Sequence, residues 1–355
     1  MPLSTIDTSS ISGLGYGFKN RIINGGMQID QRNAGAAVTA GSAYTLDRWN
    51  VDRVWVGSTV TIQQSSTAPA GFSNSMVATV STGAAVAAGS YFSIQQFIEG
   101  YNIADMAFGT ASAQTFTVSF WVRSSVTGTF GVGFRNSAFD LSYWTTYTIN
   151  AANTWEQKSV TITAPTSGTW YTNNSYGLNA IFSLGCGSTN KAASNNAWNA
   201  GGKLGAVGET DLIATTGATF YITGVQLEAG TVATSFDWRP YGTELALCRR
   251  YLPYFLISNQ NSYTGSGISA TQGLIPIPFD VVARAAPTGI VISGATDFWT
   301  GPSTGVSTTN VTFNNASAHS GCLLTTVASG LSTGQSQMLA GKSAGSYVYF
   351  TGCEL

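Results

Sequence analysis

The chain holds one histidine, His319 in the stretch NASAHSGC, so a Ser/His/Asp relay within one chain would have to run through it, and a multi-histidine metal centre is excluded. No serine sits in a Gly-x-Ser-x-Gly elbow, and His319 reads as a loop residue. Gly13, Gly15 and Gly17 in SGLGYGFKN are followed by neither a helical pattern nor Gly-Lys-Ser/Thr, which excludes a phosphate-cradling loop and leaves them as linker. Cys186, Cys248, Cys322 and Cys353 show no CxxC spacing and read as buried thiols, with a Cys322–Cys353 bridge as the alternative. Glycoside hydrolysis needs two carboxylates across a sugar ring. Asp47, Asp52, Glu99, Asp105, Asp140, Glu209, Asp211 and Glu228 are the candidates, and each could equally cap a loop, shape a turn or bind calcium.

Aromatic residues carry a clearer signal. The apolar C–H face of a sugar stacks on a ring while its hydroxyls bond to Asn, Gln and Ser, a chemistry that needs little charge. CGSTNKAASNNAWNAGGKLGAVGETD places Trp198 in a Gly/Asn/Ala-rich loop longer than most connections. Tyr143-Trp144 and Trp170-Tyr171 form similar pairs near expected strand ends, and Phe298-Trp299 lies in a Gly/Ser/Thr-rich stretch near the C-terminus. These seven rings are the glycan-contact candidates; the alternative for each is a ring folded back over the β-sheets.

The elements that must position them are strands. In QTFTVSFWV, Phe116, Val118, Phe120 and Val122 alternate with Thr115, Thr117, Ser119 and Trp121, and Val160 and Ile162 alternate in KSVTIT; this period of two marks half-buried strands. Such runs recur from about Tyr44 to Tyr241, separated by TGTFG, NAANT, APTSG and ATTGA, which predicts an all-β fold with a jelly-roll β-sandwich. RIINGGMQID reads as a hairpin around Asn24-Gly25 that needs a partner surface, in this subunit or another. One short helix is expected over 243–252, with Thr243 as N-cap, Glu244 in the first turn and Pro253 as its limit. Its stripe of Leu245, Cys248, Leu252 and Phe255 packs either on the sandwich or on copies of itself around an oligomer axis. Residues 257–355 return to β text and suffice for a second small β domain. The expected plan is an N-terminal arm with hairpin (1–44), a jelly-roll domain (45–241), a connecting helix (242–256) and a C-terminal β tip (257–355).

Composition narrows the partners. Of the 355 residues, 9% are charged and 43% hydrophobic, with 41 glycines and a net charge of −1, which describes a folded protein coated with neutral polar residues. Its 15 basic residues are scattered, so no stripe exists to neutralise a row of phosphates, and neither nucleic acid nor membrane insertion is expected. Residues 1–12 lack the basic and apolar regions of an export signal.

In NRIINGGMQIDQRNAG, YTLDRW, QTFTVSFWVRSSVTGTF and TFYITGVQLEAGTVATSFDWRPYGTELALCRRY, which cover most of residues 18–256, the sequence resembles a family of tailed-bacteriophage tail-fibre and virion surface proteins. IPIPFDVVARAAPTGIVIS is similar to the start of the C-terminal domain that such fibres often carry. The resemblance implies a jelly roll like that of carbohydrate-binding modules, a homotrimer, and a virion component made in the host cytoplasm. It also implies a neighbouring virion protein bound through residues 1–44 and a host-surface glycan as receptor. Carbohydrate-binding modules of this shape often carry text like FYIDDVSLE beside a structural calcium; here Thr223 and Gly224 stand at those places, which argues against calcium, and no other cofactor is expected. Rival readings are a capsid-decorating or head fibre, a tailspike glycan depolymerase, and a cellular lectin. A depolymerase of that kind would bring a β-helical coil repeat, which the sequence lacks.

Overall fold

A computed structural model describes residues 19–54, 57–257, 262–301 and 305–355. The chain divides into two compact units, Met1–Arg239 and Pro240–Leu355. Unit 1 contains β1 (Val38–Thr39), β2 (Ala43–Tyr44), β3 (Asn50–Val54), β4 (Thr59–Ser65), β5 (Ser75–Thr82), β6 (Tyr91–Glu99), β7 (Phe116–Ser124), β8 (Gly128–Asn136), β9 (Leu141–Ile149), β10 (Glu156–Ile162), β11 (Tyr176–Cys186), β12 (Ala197–Ala200) and β13 (Thr219–Ala229). They form two antiparallel sheets, one of six strands ordered β1-β4-β5-β13-β7-β10 and one of seven ordered β12-β9-β8-β11-β6-β3-β2. This is the expected all-β sandwich.

Alternation along each strand sends one set of side chains into the space between the sheets. Phe116, Val118, Phe120 and Val122 of the six-stranded sheet meet Phe134, Phe182 and Tyr147 of the seven-stranded one, all buried. The rings interlock edge to face, with centroids 5.1 Å apart for Phe116–Phe134, 5.0 Å for Phe120–Phe182 and 4.9 Å for Phe120–Tyr147. Edge-to-face pairs add to the hydrophobic gain of burying such large side chains.

The N-terminal arm of 1–44 needs correction. Residues 1–18 lie outside the described residues, but 19–44 belong to unit 1, and no hairpin forms around Asn24-Gly25. Strand β5 pairs with β13 only as far as Ile222, and a bulge follows between Thr223 and Gln226. Residues 20–25 run beside the β13 edge that β5 leaves: Val225 N–H donates to Gly25 O (3.0 Å), Arg21 N–H to Leu227 O (2.9 Å) and Leu227 N–H to the Asn20 side chain (3.0 Å). The apolar residues read as a hairpin are core instead, with Ile22, Met27 and Ile29 essentially inaccessible. The partner surface that this segment needed is the chain's own sandwich.

At the bulge, Gly224 has φ +60°, and a Cβ there would come within 2.6 Å of the Phe72 ring. The backbone geometry and the ring leave room for glycine alone, which accounts for the absence of an acidic residue at position 224.

Unit 2 begins with the helix, α1 (Tyr241–Arg249), followed by β14 (Tyr254–Leu256), β15 (Tyr263–Gly267), β16 (Gln272–Pro278), β17 (Gly289–Ile292), β18 (Phe298–Gly301), β19 (Val306–Ala316), β20 (Ser320–Val327), β21 (Ser336–Gly341) and β22 (Tyr347–Thr351). Six strands close a barrel in the order β15-β16-β20-β19-β18-β21, and β14-β22-β17 form a small sheet. The helix starts two residues earlier than expected. Pro240, whose carbonyl accepts from Thr243 N–H (2.9 Å) and Glu244 N–H (3.1 Å), precedes it, and Thr243 lies inside its first turn. It ends before Pro253, as a residue without an N–H requires. Cys248, Leu252 and Phe255 are buried within a single chain, so this stripe offers no oligomer axis, and only Leu245 of the four remains half-exposed. All four cysteines are free; no Cys322–Cys353 bridge forms.

Because Ile22 is fully buried in the sandwich core, Ile22→Ala should lower the unfolding free energy by about 2–4 kcal/mol. Urea denaturation of the full chain measures this, and a change under about 0.5 kcal/mol, typical of a surface site, would show the segment to be an appendage.

Candidate functional site

The seven expected rings separate into different environments. Tyr143 and Trp144 are consecutive in β9 and therefore point to opposite faces of the seven-stranded sheet, yet both are buried. Tyr143 joins the inter-sheet core, and Trp144 lies under the 187–210 connection, with Ile181, Cys186, Ala192, Leu204 and Ala206. Its Nε1–H donates to Lys203 O at 3.0 Å, and its ring seats over Gly133, where a Cβ would come within 2.5 Å. Phe298 is likewise buried in the unit 2 core. As core rings, Tyr143, Trp144 and Phe298 are unavailable to a sugar. Trp198 is held by strand β12, half-buried, with Nε1–H donating to Thr163 O (2.9 Å) and its ring edge-on to Tyr143 (5.4 Å) and Trp170 (5.6 Å). Trp170 packs in turn on Phe108, so these two indoles close one margin of the sandwich. Tyr171 and Trp299 are open, at 41% and 39% exposure; Lys342 Nζ lies 4.6 Å from the Trp299 ring centre.

The structure assembles a different constellation on the outer face of the seven-stranded sheet. The register Asn50↔Gln95, Asp52↔Ser93, Gln95↔Ile181, Phe97↔Asn179 and Asn179↔Arg135 aligns these residues on the side facing away from the core. The 187–210 connection covers one part of that face, over Trp144 and Ile181, with Tyr91 packed at its border. The remainder is a polar network with an aromatic wall. Arg135 Nε–H and Nη2–H donate to Asn179 Oδ1 (3.2 and 3.0 Å), and Nη2–H also reaches Gln95 Oε1 (3.2 Å). Gln95 Nε2–H donates to Asn50 Oδ1 (3.1 Å), and Tyr91 O–H to Asp52 Oδ1 (3.2 Å). Phe139, in the turn between β8 and β9, lies 4.5 Å beneath the Arg135 guanidinium and stacks on Tyr176 at 5.0 Å, which in turn meets Phe97 at 5.5 Å.

Burial tunes these groups. Arg135, 7% exposed as a residue, has its guanidinium pKa lowered by desolvation, and the Tyr91 hydroxyl is pushed up to about 12, first by burial and then by the Asp52 charge. Asp52 Oδ2, Asn50 Nδ2 and Arg135 Nη1 have no hydrogen-bond partner among the described residues, so the face presents acceptor and donor groups beside half-exposed rings.

Of the eight carboxylates considered for hydrolysis, Asp52 lies on this open face. Others have structural duties: Asp47 accepts from Gln31, Asp105 pairs with Arg21, Asp140 accepts from Asn136, Asp211 from Cys186 N–H and Glu228 from Thr234. Glu209 anchors the covering connection, accepting from Ser183 Oγ–H (2.8 Å) on the sheet and Ala206 N–H (2.9 Å) in the connection. Among the described residues no group of three or more His, Cys, Asp or Glu is placed to hold a metal, and no helix is long and apolar enough to cross a membrane.

Sequence reasoning passed over Arg135, Phe97, Phe139, Tyr176, Asn50, Gln95 and Asn179. The signal was present in YFSIQQFIEG, where Tyr91, Ser93, Gln95 and Phe97 alternate with core residues. A strand whose outer row is amide and aromatic differs from one whose outer row is Ser and Thr.

No family model and no curated protein matches the sequence. Among solved structures, the chain is similar to the enzymatically active domain of tailspike protein 4 of bacteriophage CBA120, at 14% identity and TM-score 0.31, over 60% of this chain and 22% of the tailspike chain. It is also similar to a CBM4 module, at 14% identity and TM-score 0.30, over 58% of this chain and 98% of the module. A third is the family 11 carbohydrate-binding module of the Clostridium thermocellum cellulase Lic26A-Cel5E, at 11% identity and TM-score 0.29, over 57% of this chain and 99% of that one. The chain spans about a fifth of the tailspike's length.

Burial raises the Glu209 pKa from 4.5 to about 7. A carboxyl whose folded pKa is raised contributes its full stability below about pH 4.5 and loses it as pH rises through about 7. Opening of the 187–210 connection should therefore become easier by roughly 2–3 kcal/mol between pH 4.5 and 8, and Glu209→Gln should flatten the dependence. Hydrogen exchange of the Ala206 amide, corrected for intrinsic rate, reads it; protection that rises with pH would contradict the assignment.

Proposed function

We propose that this chain is a non-enzymatic virion surface protein of the tail-fibre type that contacts host-surface glycans through the outer face of its seven-stranded sheet. The carrying observation is that face itself: half-exposed Phe139, Tyr176 and Phe97 rings beside Asn50, Asp52 and Arg135, whose open hydrogen-bonding groups match sugar hydroxyls. Rings stack on the C–H face of a sugar while the polar groups orient it, and the interlocked core beneath holds both in place. The virion assignment draws its support from the sequence blocks that resemble phage fibres and from a surface with few charges. Assembly as a homotrimer belongs to the same reading, since single sites of this kind are weak and linked copies raise avidity.

Phe139→Ala should weaken adsorption of the purified protein to host cells while changing stability by no more than about 1 kcal/mol, because the ring is 36% exposed. Trp144→Ala should instead cost about 3–5 kcal/mol of stability, as expected for a fully buried indole. Unchanged adsorption by the Phe139 variant would remove the proposed face. Light scattering should give three times the 37.0 kDa chain mass, and a stable monomer at micromolar concentration would refute the fibre reading.

A further inference from the structure

Arg135 is a buried cation whose protein partners are all neutral. Its hydrogen bonds go to the side-chain oxygens of Asn179 and Gln95, and it forms no ion pair among the described residues. Asp52 is the acid whose field it feels most, yet that carboxylate is bonded to Tyr91 and does not pair with the guanidinium. Two of the three guanidinium nitrogens are fixed by the amides, and this aims the fork. The third, Nη1, bonds to no described residue and is not fully buried, so it keeps some access to solvent at the outer face. Phe139 beneath the guanidinium and Tyr176 stacked on Phe139 form the adjoining wall.

An arginine held by neutral acceptors keeps its full charge and two unused N–H groups. An incoming oxyanion satisfies both at once in a charge-assisted hydrogen bond, and a neutral hydroxyl satisfies only the second. A lone arginine set against aromatic rings, on a chain without a basic stripe, suits one charge per sugar rather than a run of phosphates. Resting on the reading of this face as the glycan-contact surface, we propose that Arg135 makes the face selective for anionic sugars, carboxylated or sulfated, with the acid group on Nη1 and neighbouring hydroxyls on Asp52 and Asn50. Asp52 then contributes to orientation, accepting from a hydroxyl while repelling the acid toward Arg135.

The test is isothermal titration calorimetry of the full chain with two matched pairs: polygalacturonate against its carboxyl-reduced polymer, and dextran sulfate against dextran. Wild-type protein should prefer the charged member of at least one pair by about tenfold or more, the size of one charge-assisted contact, and the responding pair separates carboxylate from sulfate recognition. The preference should shrink as salt rises from about 0.05 to about 0.5 M. Arg135→Gln should abolish it, bringing affinity for the charged polymer down to that for its neutral partner, and Arg135→Lys should retain part of it. Equal affinity for charged and neutral members would overturn the anionic selectivity and leave the glycan-contact reading standing. A preference that survives Arg135→Gln would overturn the assignment to this residue, and absence of binding to all four polymers would overturn both readings. The wild-type comparison needs no variant, so the test stands even if Arg135→Gln fails to fold.

Discussion

Each sheet of the sandwich has two faces, and the interlocked rings between the sheets occupy only one of them. The consequence matters most for the seven-stranded sheet, whose central strands β11, β8 and β6 are paired on both sides and cannot rotate their outer row away from solvent. That row has to be either covered by other parts of the chain or composed of residues that tolerate water. The protein does both. The 187–210 connection lies over Trp144 and Ile181, which need cover, and Asn50, Asp52, Gln95, Arg135 and Asn179 fill the remainder with a cross-strand network. The border between the two areas runs past Tyr91 and Glu209, so the extent of the open face depends on the docking of one connection.

The amides of the network also set the electrostatics. Glutamate or aspartate in place of Gln95 and Asn179 would pair with Arg135 and cancel its charge within the protein. Neutral oxygens fix its geometry and leave the charge uncancelled. The stacked Phe139 and Tyr176 give that charge a rigid, weakly polar neighbour, which limits its screening by water. Rigid rings beside an aimed donor make a surface already organised before a ligand arrives.

Much of the architecture was legible because a half-buried strand writes its burial into alternate residues. Phe116, Val118, Phe120 and Val122 are core, and the helix before Pro253 exists at nearly its expected length. The site was less legible because the sequence shows that a ring is present without showing what lies above it. Trp198, read as a loop residue, is tied to Thr163 and leans on Trp170, and the pair Tyr143-Trp144 is buried on both faces of one strand. Arg135 looked like one more scattered base in GTFGVGFRN; only the register of β8 against β11 and β6 brings it to Asn179 and Gln95. Similarly, Ile22 reads as part of an appendage because the β13 edge beside which its segment runs lies about 200 residues later in the chain.

The central claim is that sugar meets this protein on the open part of the seven-stranded sheet. A crystal structure of the full chain grown with a galacturonate hexasaccharide tests it most directly. The account predicts density for sugar rings over β3, β6, β11 and β8, against Tyr176 and Phe139, with a carboxylate at Arg135 Nη1. Sugar bound beside Trp299 or on the outer face of the six-stranded sheet, with the Arg135 face unoccupied, would contradict it.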